Sequence, residues 1–564
     1  MEYRLELTGT QLATGFFTPV PLTPILLEQG LVLLKERPMD KFLHHYLLDL
    51  MVKLPHNEVE LLINRAKSEK NPVLQALACE EILISQGITK VKQFFSTDTI
   101  MELCNHTPLV DIRSALLPNS RLHSRWIDFF KKNMIDLKPL VPIEATGLPP
   151  ICAGECMVRQ KPSIKIEKLV FPDKNIPNTK KEFTAEQTAA TALARLKLAG
   201  IKIGKEMRHE SSLSPFALMR KWEFTTKTEN GRNRFTLEGG QTSYGRGLSL
   251  ENARASLSME IVERCSAFAS ISSQGVEGYT NEYPLVRATW QELIQQGKKA
   301  INPAELSLEV NYQGEPLHWI EGTTPGNMGP EKAMVPVQAL FLFCNLDETA
   351  LFSGLGSTGL ASGNTMDQAK VSALLEIIER HQEATVPFHK KSCFQLVPGK
   401  SEITPMMDAY AALGIQLQFQ DLTPKSGIPC CKCFVMGRDG IIHKGTSADL
   451  NARKAIISAM TETTYPFPSG PPSAPGMKDL IQVGFNNLPD YSTPDHGEDL
   501  ALLEKLLIAN NQRPYYVDLT RRDINLPVVK AIIPGMDILG DFDRFSRVHP
   551  ELFQNYIKEF STNS

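Results

Sequence analysis

One segment of this 564-residue chain occurs twice, and that repeat constrains the fold more than any other feature. The first copy runs Glu251-Asn-Ala-Arg-Ala-Ser-Leu-Ser-Met-Glu-Ile-Val-Glu-Arg-Cys265 and the second Asp367-Gln-Ala-Lys-Val-Ser-Ala-Leu-Leu-Glu-Ile-Ile-Glu-Arg-His381. Ala253, Ser256, Glu260, Ile261, Glu263 and Arg264 recur as Ala369, Ser372, Glu376, Ile377, Glu379 and Arg380, always 116 positions on, as 369 is from 253. Each copy follows a glycine-rich stretch, Tyr244-Gly-Arg-Gly-Leu-Ser249 or Gly359-Leu-Ala-Ser-Gly-Asn364. Polar residues repeated inside apolar helices point to one site built from two helices.

At about 100° per residue, Glu260 falls about 40° to one side of Ser256 and Glu263 about 20° to the other, so the three share a face. Arg264 lies at the edge of that face, while Ala255, Leu257, Met259, Ile261 and Val262 fill the flanks and back. A helix apolar nearly all round is expected to be buried. The second copy gives the same wheel with Ser372, Glu376, Glu379 and Arg380. Carboxylates on buried helices need cations, and Arg264 and Arg380 are the two within the repeat. Divalent metal is the natural remainder. Oxygen ligands favour Mg²⁺ or Mn²⁺, and Mg²⁺ typically binds through one or two carboxylates plus substrate phosphates. The expected site is therefore two facing helices whose glutamates hold Mg²⁺ against a nucleoside triphosphate, with the arginines and glycine-rich backbone on its phosphate oxygens. A solvated Glu-x-x-Glu-Arg face with internal ion pairs is the plainer alternative for either copy alone. The shared Ser-x-x-x-Glu-x-x-Glu-Arg spacing argues against it.

Both copies resemble the nucleotide-binding motifs of the YcaO superfamily. There, Ser-x-x-x-Glu-x-x-Glu-Arg follows a Gly-Lys/Arg-Gly turn, and a second Glu-x-x-Glu-Arg follows a Gly-Leu-Ala-x-Gly-Asn turn. Supporting likenesses are a helix running into Gly-Ile (Leu193 to Ile201), the strand Gly427 to Val435, and the closing strands Tyr515 to Thr520 and Leu526 to Gly535. The resemblance spans residues 160–550 and implies an α/β (α+β) nucleotide-binding core. It implies ATP and Mg²⁺ as cofactors and a peptide or protein substrate. In such enzymes ATP activates a backbone amide: a nucleophile adds, the amide oxygen is phosphorylated, and an azoline or a thioamide results. Carried over residue by residue, Glu260, Glu263, Glu376 and Glu379 hold Mg²⁺, and Ser256, Arg264, Asn364, Ser372 and Arg380 bind ATP. No catalytic residue is assigned.

The chain departs from the family pattern in several places. The third family motif usually has an Arg four residues before a Glu, then a Gln. Here the Glu is Glu462, but Ser458 and Tyr465 hold the other two positions, with Arg453 as a candidate substitute from the preceding turn. Azoline-forming members end in a proline-rich tail, whereas this chain ends Phe560-Ser-Thr-Asn-Ser564. Thr358 replaces an Asn of the second turn, and His381 stands where active members often carry an acid. The expected activity is ATP-dependent amide activation, with thioamidation favoured over azoline formation. The alternative is an ATP-binding or non-catalytic accessory factor for a protein methylthiolation system, such as ribosomal protein methylthiolation. Either reading implies a partner, a sulfur-delivery or methylthiotransferase protein, and the family resemblance is compatible with a homodimer.

A net charge of −3 gives no global attraction to nucleic acid or to an anionic membrane. The opening Met1-Glu-Tyr-Arg-Leu-Glu-Leu has no signal-peptide core, and the most apolar run, Val335 to Cys344, is too short to span a bilayer. A cytoplasmic protein is expected. Neither Cys152-Ala-Gly-Glu-Cys156 nor Cys430-Cys431-Lys-Cys433 offers the paired two-residue spacing of thiolate zinc sites, so Cys431 and Cys433 read as core residues of a strand.

The periodicity predicts an all-α N-terminal region, a helical interaction region over 1–138, in which residues 1–20 read as an irregular or short-strand start and helices follow over Asp40 to Leu54, Glu58 to Lys70, Pro72 to Gln86 and Leu122 to Asn133. A Pro- and Gly-rich linker over 139–162, the ATP-binding domain over 163–550 and a tail over 551–564 complete the expected organisation. A hairpin over Trp222 to Thr228 and Asn233 to Leu237, a buried strand over Val335 to Leu346, and a helix over Ala452 to Thr464 are expected within the core. Pro466 to Pro475 reads as an extended surface loop, with a lid as the alternative. Gly354-Leu-Gly-Ser-Thr-Gly359 matches a dinucleotide fingerprint, but Leu360 to Asn364 separate it from the next helix, which argues against that function.

Overall fold

A computed structural model of the chain describes residues 1–8, 16–151, 163–169, 183–537 and 542–561. The fold is mixed α/β, built on three sheets. The first centres on the hairpin Phe216–Asn230 and Asn233–Gly247, which closes on Gly231-Arg232, Gly231 taking a φ of +56°. Trp222, Phe224, Thr226, Thr228 and Asn230 are buried while the residues between them are exposed, as a strand with one wet face requires. Both strands extend well beyond the expected hairpin.

The all-α expectation for the N-terminal region is corrected at its start, where residues 1–20 supply strands, the short-strand alternative. Glu2–Thr8 pairs parallel with Asn233–Gly247, and Phe16–Pro21 pairs antiparallel on its outer side. The reason was legible: Tyr3 and Leu5 are buried between exposed Glu2, Arg4 and Glu6, a period of two. The helices follow, Leu27–Glu36, Lys41–Met51, His56–Ser68, Pro72–Gln86 and Ser120–Met134 among them. Fully buried Asp40 ties the layers together. It accepts from the Tyr3 hydroxyl at 2.8 Å and from Asn345 Nδ2 at 2.9 Å, and it caps Lys41–Met51 through Phe42 N and Leu43 N. Asp40→Ala orphans four donors at once. It is expected to lower stability by about 3 kcal/mol, read as a shift of the urea midpoint at constant m-value.

The second sheet runs Gly329–Pro336, Leu317–Gly326, Tyr515–Asp518, Val528–Ile532, Leu360–Ser362. The third runs Ile442–Ala448, Cys430–Met436, Gln418–Asp421, Cys393–Val397, Ile481–Gly484. The expected strand over Val335 to Leu346 is corrected: the strand ends at Pro336, a 3₁₀ turn follows over Val337–Ala339, and Phe343 takes a left-handed φ of +53°. The run is apolar because it is buried, not because it is extended.

The helix of the first copy, Leu250–Ala267, packs on the first sheet, and that of the second, Met366–Thr385, on Val528–Ile532 and the third sheet. A third helix, Ala452–Glu462, lies on the other face of the third sheet, where Cys431 and Cys433 pack with Ala455, Ile456 and Ala459. Those cysteines are buried core residues, as expected. The Cys152 to Cys156 pair lies outside the described residues.

The described end of the expected linker is packed: Leu140, Ile143, Leu148 and Ile151 join a cluster around Trp126, whose indole donates to Pro149 O at 2.9 Å. The C-terminal residues join it too, as the helix Pro550–Ser561, with the Phe553 and Tyr556 rings 5.0 and 5.4 Å from Trp126. Among the described residues no helix is long and apolar enough to cross a membrane.

Candidate functional site

The repeat is structural as well as sequential, and it begins before the helices. Ser249 Oγ accepts from Asn252 N, and Thr365 Oγ1 from Gln368 N, each at 3.2 Å, so the two helices are capped at equivalent positions. Gly247 and Gly363 stand two residues earlier, also equivalent. A Cβ at Gly247 would lie 2.9 Å from Ala253 N, and one at Gly363 would lie 2.7 Å from Ala369 N. Each turn thus lies against the first turn of its own helix, and only glycine fits. Gly363→Ala is expected to cost about 2 kcal/mol of stability, measurable by chemical unfolding.

Between the helices runs the short strand Leu360–Ser362. Ser362 Oγ donates to Met259 O at 3.0 Å, and its backbone amide faces Glu263. The Gly359 amide faces Glu376, and Tyr244 N donates to Glu260 Oε2 at 2.9 Å. Gly359, with a φ of +77°, leads into this strand rather than into a helix, so the Gly354–Gly359 run does not form a dinucleotide turn. Ser256 and Ser372 are exposed, Glu260 and Glu263 are partly covered, and Glu379 is only 7% exposed. Each helix therefore carries its polar face from solvent into the interior.

The carboxylates there are poorly neutralised. Arg264 Nε lies 3.7 Å from Glu260 and 3.8 Å from Glu263, and Arg380 lies 3.5 Å from Glu379 and 3.4 Å from Glu383, all long contacts. Burial pushes the Glu263 carboxyl up to about 8, against Arg264 and with the help of Glu376 and Glu260. Burial likewise raises Glu260, Glu376 and Glu462. Glu379 is raised well above its usual range by burial, with Arg380 opposing and Glu462, Glu376 and Glu383 adding to it. Its Oε1 is buried and has no hydrogen-bond partner.

Elements outside the repeat bring further cations. Lys530, on the strand Val528–Ile532, is pushed down to about 8 by burial, facing Glu376 and Glu263, and donates to Thr358 O at 2.7 Å. Glu383, one turn beyond Glu379, pairs with Lys444 at 2.8 Å. Burial raises its carboxyl, but Lys444, Lys432 and Arg380 together hold it well below the usual range. Lys432 is 2% exposed, between the buried cysteines. Repeat comparison discards Glu383, because its equivalent in the first copy is Ala267. A lysine between cysteines, or inside an apolar strand, gives no periodic signal.

Glu462, at the end of Ala452–Glu462, joins the group, acted on by Arg246 and Arg380. Arg453 does not: its Nη2 lies 3.5 Å from Asp490. Asn364 faces Thr188 Oγ1, to which its Nδ2 donates at 3.1 Å. The Tyr465 hydroxyl donates to Pro471 O at 2.8 Å and braces the proline-rich segment, which Ser473 N and Ala474 N pin to Gly414 O and Met436 O. His381, which stands where active members often carry an acid, is buried near the end of Met366–Thr385, its Nε2 3.1 Å from Glu551. Among the described residues, no three acidic, His or Cys side chains are grouped to enclose a metal by themselves.

The fold and its clustered carboxylates thus define an α/β protein with one site shared by two like helices and a third. A family model described as YcaO cyclodehydratase, ATP- and Mg²⁺-binding, matches residues 244–469 and 463–537, more than half of the sequence. The chain belongs to the YcaO family. An uncharacterised protein of Methanothermobacter thermautotrophicus is 26% identical over 353 residues, 55% of this chain and 86% of that protein. Among solved structures, a heterocyclase in complex with substrate and cofactor is 18% identical over 65% of this chain, with a TM-score of 0.48. The match covers 54% of that heterocyclase, about half its length. YcaO from Methanopyrus kandleri, bound with AMPPCP and Mg²⁺, is 18% identical over 66% of this chain and 99% of its own, with a TM-score of 0.45.

Proposed function

We propose that this chain binds ATP and Mg²⁺ at the repeated helices and uses them to activate a peptide backbone amide, giving a thioamide rather than an azoline. The Glu379 carboxylate carries this reading. It is almost fully buried, crowded by Glu376, Glu383 and Glu462, and its Oε1 has no hydrogen bond, only the long contact with Arg380 at 3.5 Å. A buried carboxylate in that state is stabilised by an arriving cation. Family membership supports ATP and Mg²⁺ as what arrives. Glu260, Glu263, Glu376 and Glu379 would hold Mg²⁺, and Ser256, Ser372, Asn364, Arg264 and Arg380 the nucleotide, with Glu462 beside them. The absence of a closed ligand group among the described residues suits Mg²⁺, which keeps waters and takes phosphate oxygens. When bound, the pair supplies the phosphoryl group and neutralises its charge. The residues do the rest: the capped turns fix the approach, and Arg264 and Arg380 stabilise charge that develops on the phosphoryl oxygens.

The preference for a thioamide over an azoline is part of this proposal, and the mass of the modified substrate tests it. The substrate would be a peptide or protein in the cytoplasm, and a partner would deliver sulfur. A second reading, a nucleotide-binding accessory factor for methylthiolation, draws on Ser458 and on Tyr465, whose hydroxyl is committed to Pro471 rather than to the carboxylates. Mass spectrometry of proteins from cells carrying wild-type or Glu376→Gln chain separates the two. Loss of an oxygen-to-sulfur exchange in a backbone amide supports the first, and loss of a side-chain methylthio group supports the second. If neither changes, both are wrong.

A further inference from the structure

We propose that the open edge of the third sheet, with the cavity beside it, docks an extended acidic segment of the peptide or protein substrate as an added strand. The inference rests on the peptide-modifying reading above and deepens it, placing a second hold on that substrate away from the carboxylates.

Three observations converge on this place. The first is the edge itself. Ile481–Gly484 pairs parallel with Cys393–Val397 on one side, and no strand of the described residues pairs with its other side. An edge strand keeps a row of backbone donors and acceptors open, and proteins commonly guard it with charge or proline. Ile481-Gln-Val-Gly484 carries neither, and Ile481 is 64% exposed. An extended peptide backbone is the ligand whose polar groups match such a row.

The second is what that strand faces. Ile481 and Val483, alternate residues, line a cavity of about 630 Å³ between the third sheet and the first turns of the helix Ala452–Glu462. Phe394 and Cys431 of the sheet and Ala455 and Ile456 of the helix form its walls. A strand laid along Ile481–Gly484 turns every second side chain to one face, so the cavity takes apolar side chains at alternate positions.

The third is charge. Exposed Lys165, Lys391 and Lys425 line the same cavity with Glu167 and Asp421. Both carboxylates already accept hydrogen bonds, Glu167 from the Tyr491 hydroxyl at 3.3 Å and Asp421 from Thr423 N at 2.9 Å. Lys391 Nζ lies 3.6 Å from Glu559, a long contact. Lys425 lies against Lys558, whose ammonium is pushed down to about 8 by burial and by Lys425, with Glu551 opposing. Two ammonium groups side by side favour a carboxylate arriving next to them. The rim therefore selects acidic residues between the apolar ones.

The docked segment is not the amide that reacts. Ile481–Gly484 lies four strand spacings, roughly 19 Å, from Ile442–Ala448, whose Gly445 lies against the helix end bearing Glu462. An extended chain needs roughly six residues to cross that distance.

The test is fluorescence polarisation of the purified chain with a labelled peptide of alternating glutamate and leucine. The probe is expected to bind, and exchanging its glutamates for lysines should weaken binding at least about 10-fold. Alternate amides of a strand point to opposite edges, so N-methylation of one alternate set should abolish binding while the other set tolerates it. Val483→Trp, which fills the cavity, should weaken the probe at least about 10-fold with Mg²⁺–AMPPCP binding unchanged. In cells it should lose the same modification as Glu376→Gln. Should Val483→Trp fold poorly, Lys165→Glu on the exposed rim should give the loss of probe binding. A wild-type chain that binds Mg²⁺–AMPPCP but not the probe overturns this proposal alone. So does equal tolerance of both methylated sets, undiminished binding by the variant measured, or a modification that survives it. A chain that binds the probe but not Mg²⁺–AMPPCP keeps the docking edge and overturns the nucleotide reading.

Discussion

Replacing Glu379 by Gln is expected to abolish Mg²⁺-dependent AMPPCP binding, by at least about 100-fold, while making the ligand-free protein more stable by about 1–2 kcal/mol. The two effects have one cause. Burial and three neighbouring carboxylates disfavour the ionised form of Glu379, and Arg380 at 3.5 Å only partly offsets them. The neutral amide removes that repulsion from the empty site and removes the charge that draws the cation. Glu376→Gln should behave alike. A residue with a purely structural role gives the opposite pairing, lower stability and unchanged binding, so calorimetry and chemical unfolding on the same sample separate the cases. Loss of stability on Glu379→Gln would falsify the assignment of this carboxylate to a cation.

A second large effect is expected from pH. The Glu263 carboxyl, pushed up to about 8 in the folded chain, titrates near 4.5 when unfolded. Between those values the folded state binds a proton that the unfolded state has released. Its contribution to stability is complete below about 4.5 and is lost as pH rises through 8. From pH 6.5 to 8 this group alone should lower stability by about 2 kcal/mol. Glu309, pushed up to about 7 by burial, adds to the same slope. Lys530 and Lys432, pushed down to about 8, lose their protons above this window, and His45 and His123, pushed down to about 3 and 4, charge below it. Mg²⁺ and nucleotide select the ionised carboxylates, so stabilisation by Mg²⁺–AMPPCP should grow over the same interval. Urea unfolding at the two pH values, with and without ligand, measures both. In Glu263→Gln the difference should shrink by about 2 kcal/mol, the other raised carboxyls keeping their share.

The site was legible where chemistry coincided with repetition. Glu260, Glu263, Glu376 and Glu379 shared a helical spacing, and the structure brings the two helices to one short strand. What escaped is what repetition hides. Glu383 has Ala267 as its counterpart, and Lys432 lies between cysteines. The fold followed the same division. The helices Pro72–Gln86 and Ser120–Met134 declared themselves through their period, whereas the Val335 run looked like a strand because burial and extension give the same apolar signal. The strand Glu2–Thr8 alternates clearly, but its partner lies some 230 residues away, as Thr236 is from Glu2, and only tertiary pairing gives such a strand a role.

The aromatic cluster around Trp126 sets a clock on synthesis. Tyr556, which covers Trp126, leaves the ribosome 430 residues after it, as 556 is from 126. At about 5–20 residues per second that interval is roughly 20 to 90 s. Throughout it, the part of the Trp126, Phe129 and Phe130 face that Phe553 and Tyr556 cover stays open, with only the residues from Leu140 to Ile151 available to pack on the cluster. Nascent chains of this protein are therefore expected to spend most of their synthesis as clients for a chaperone, and slowing translation should raise aggregation rather than relieve it.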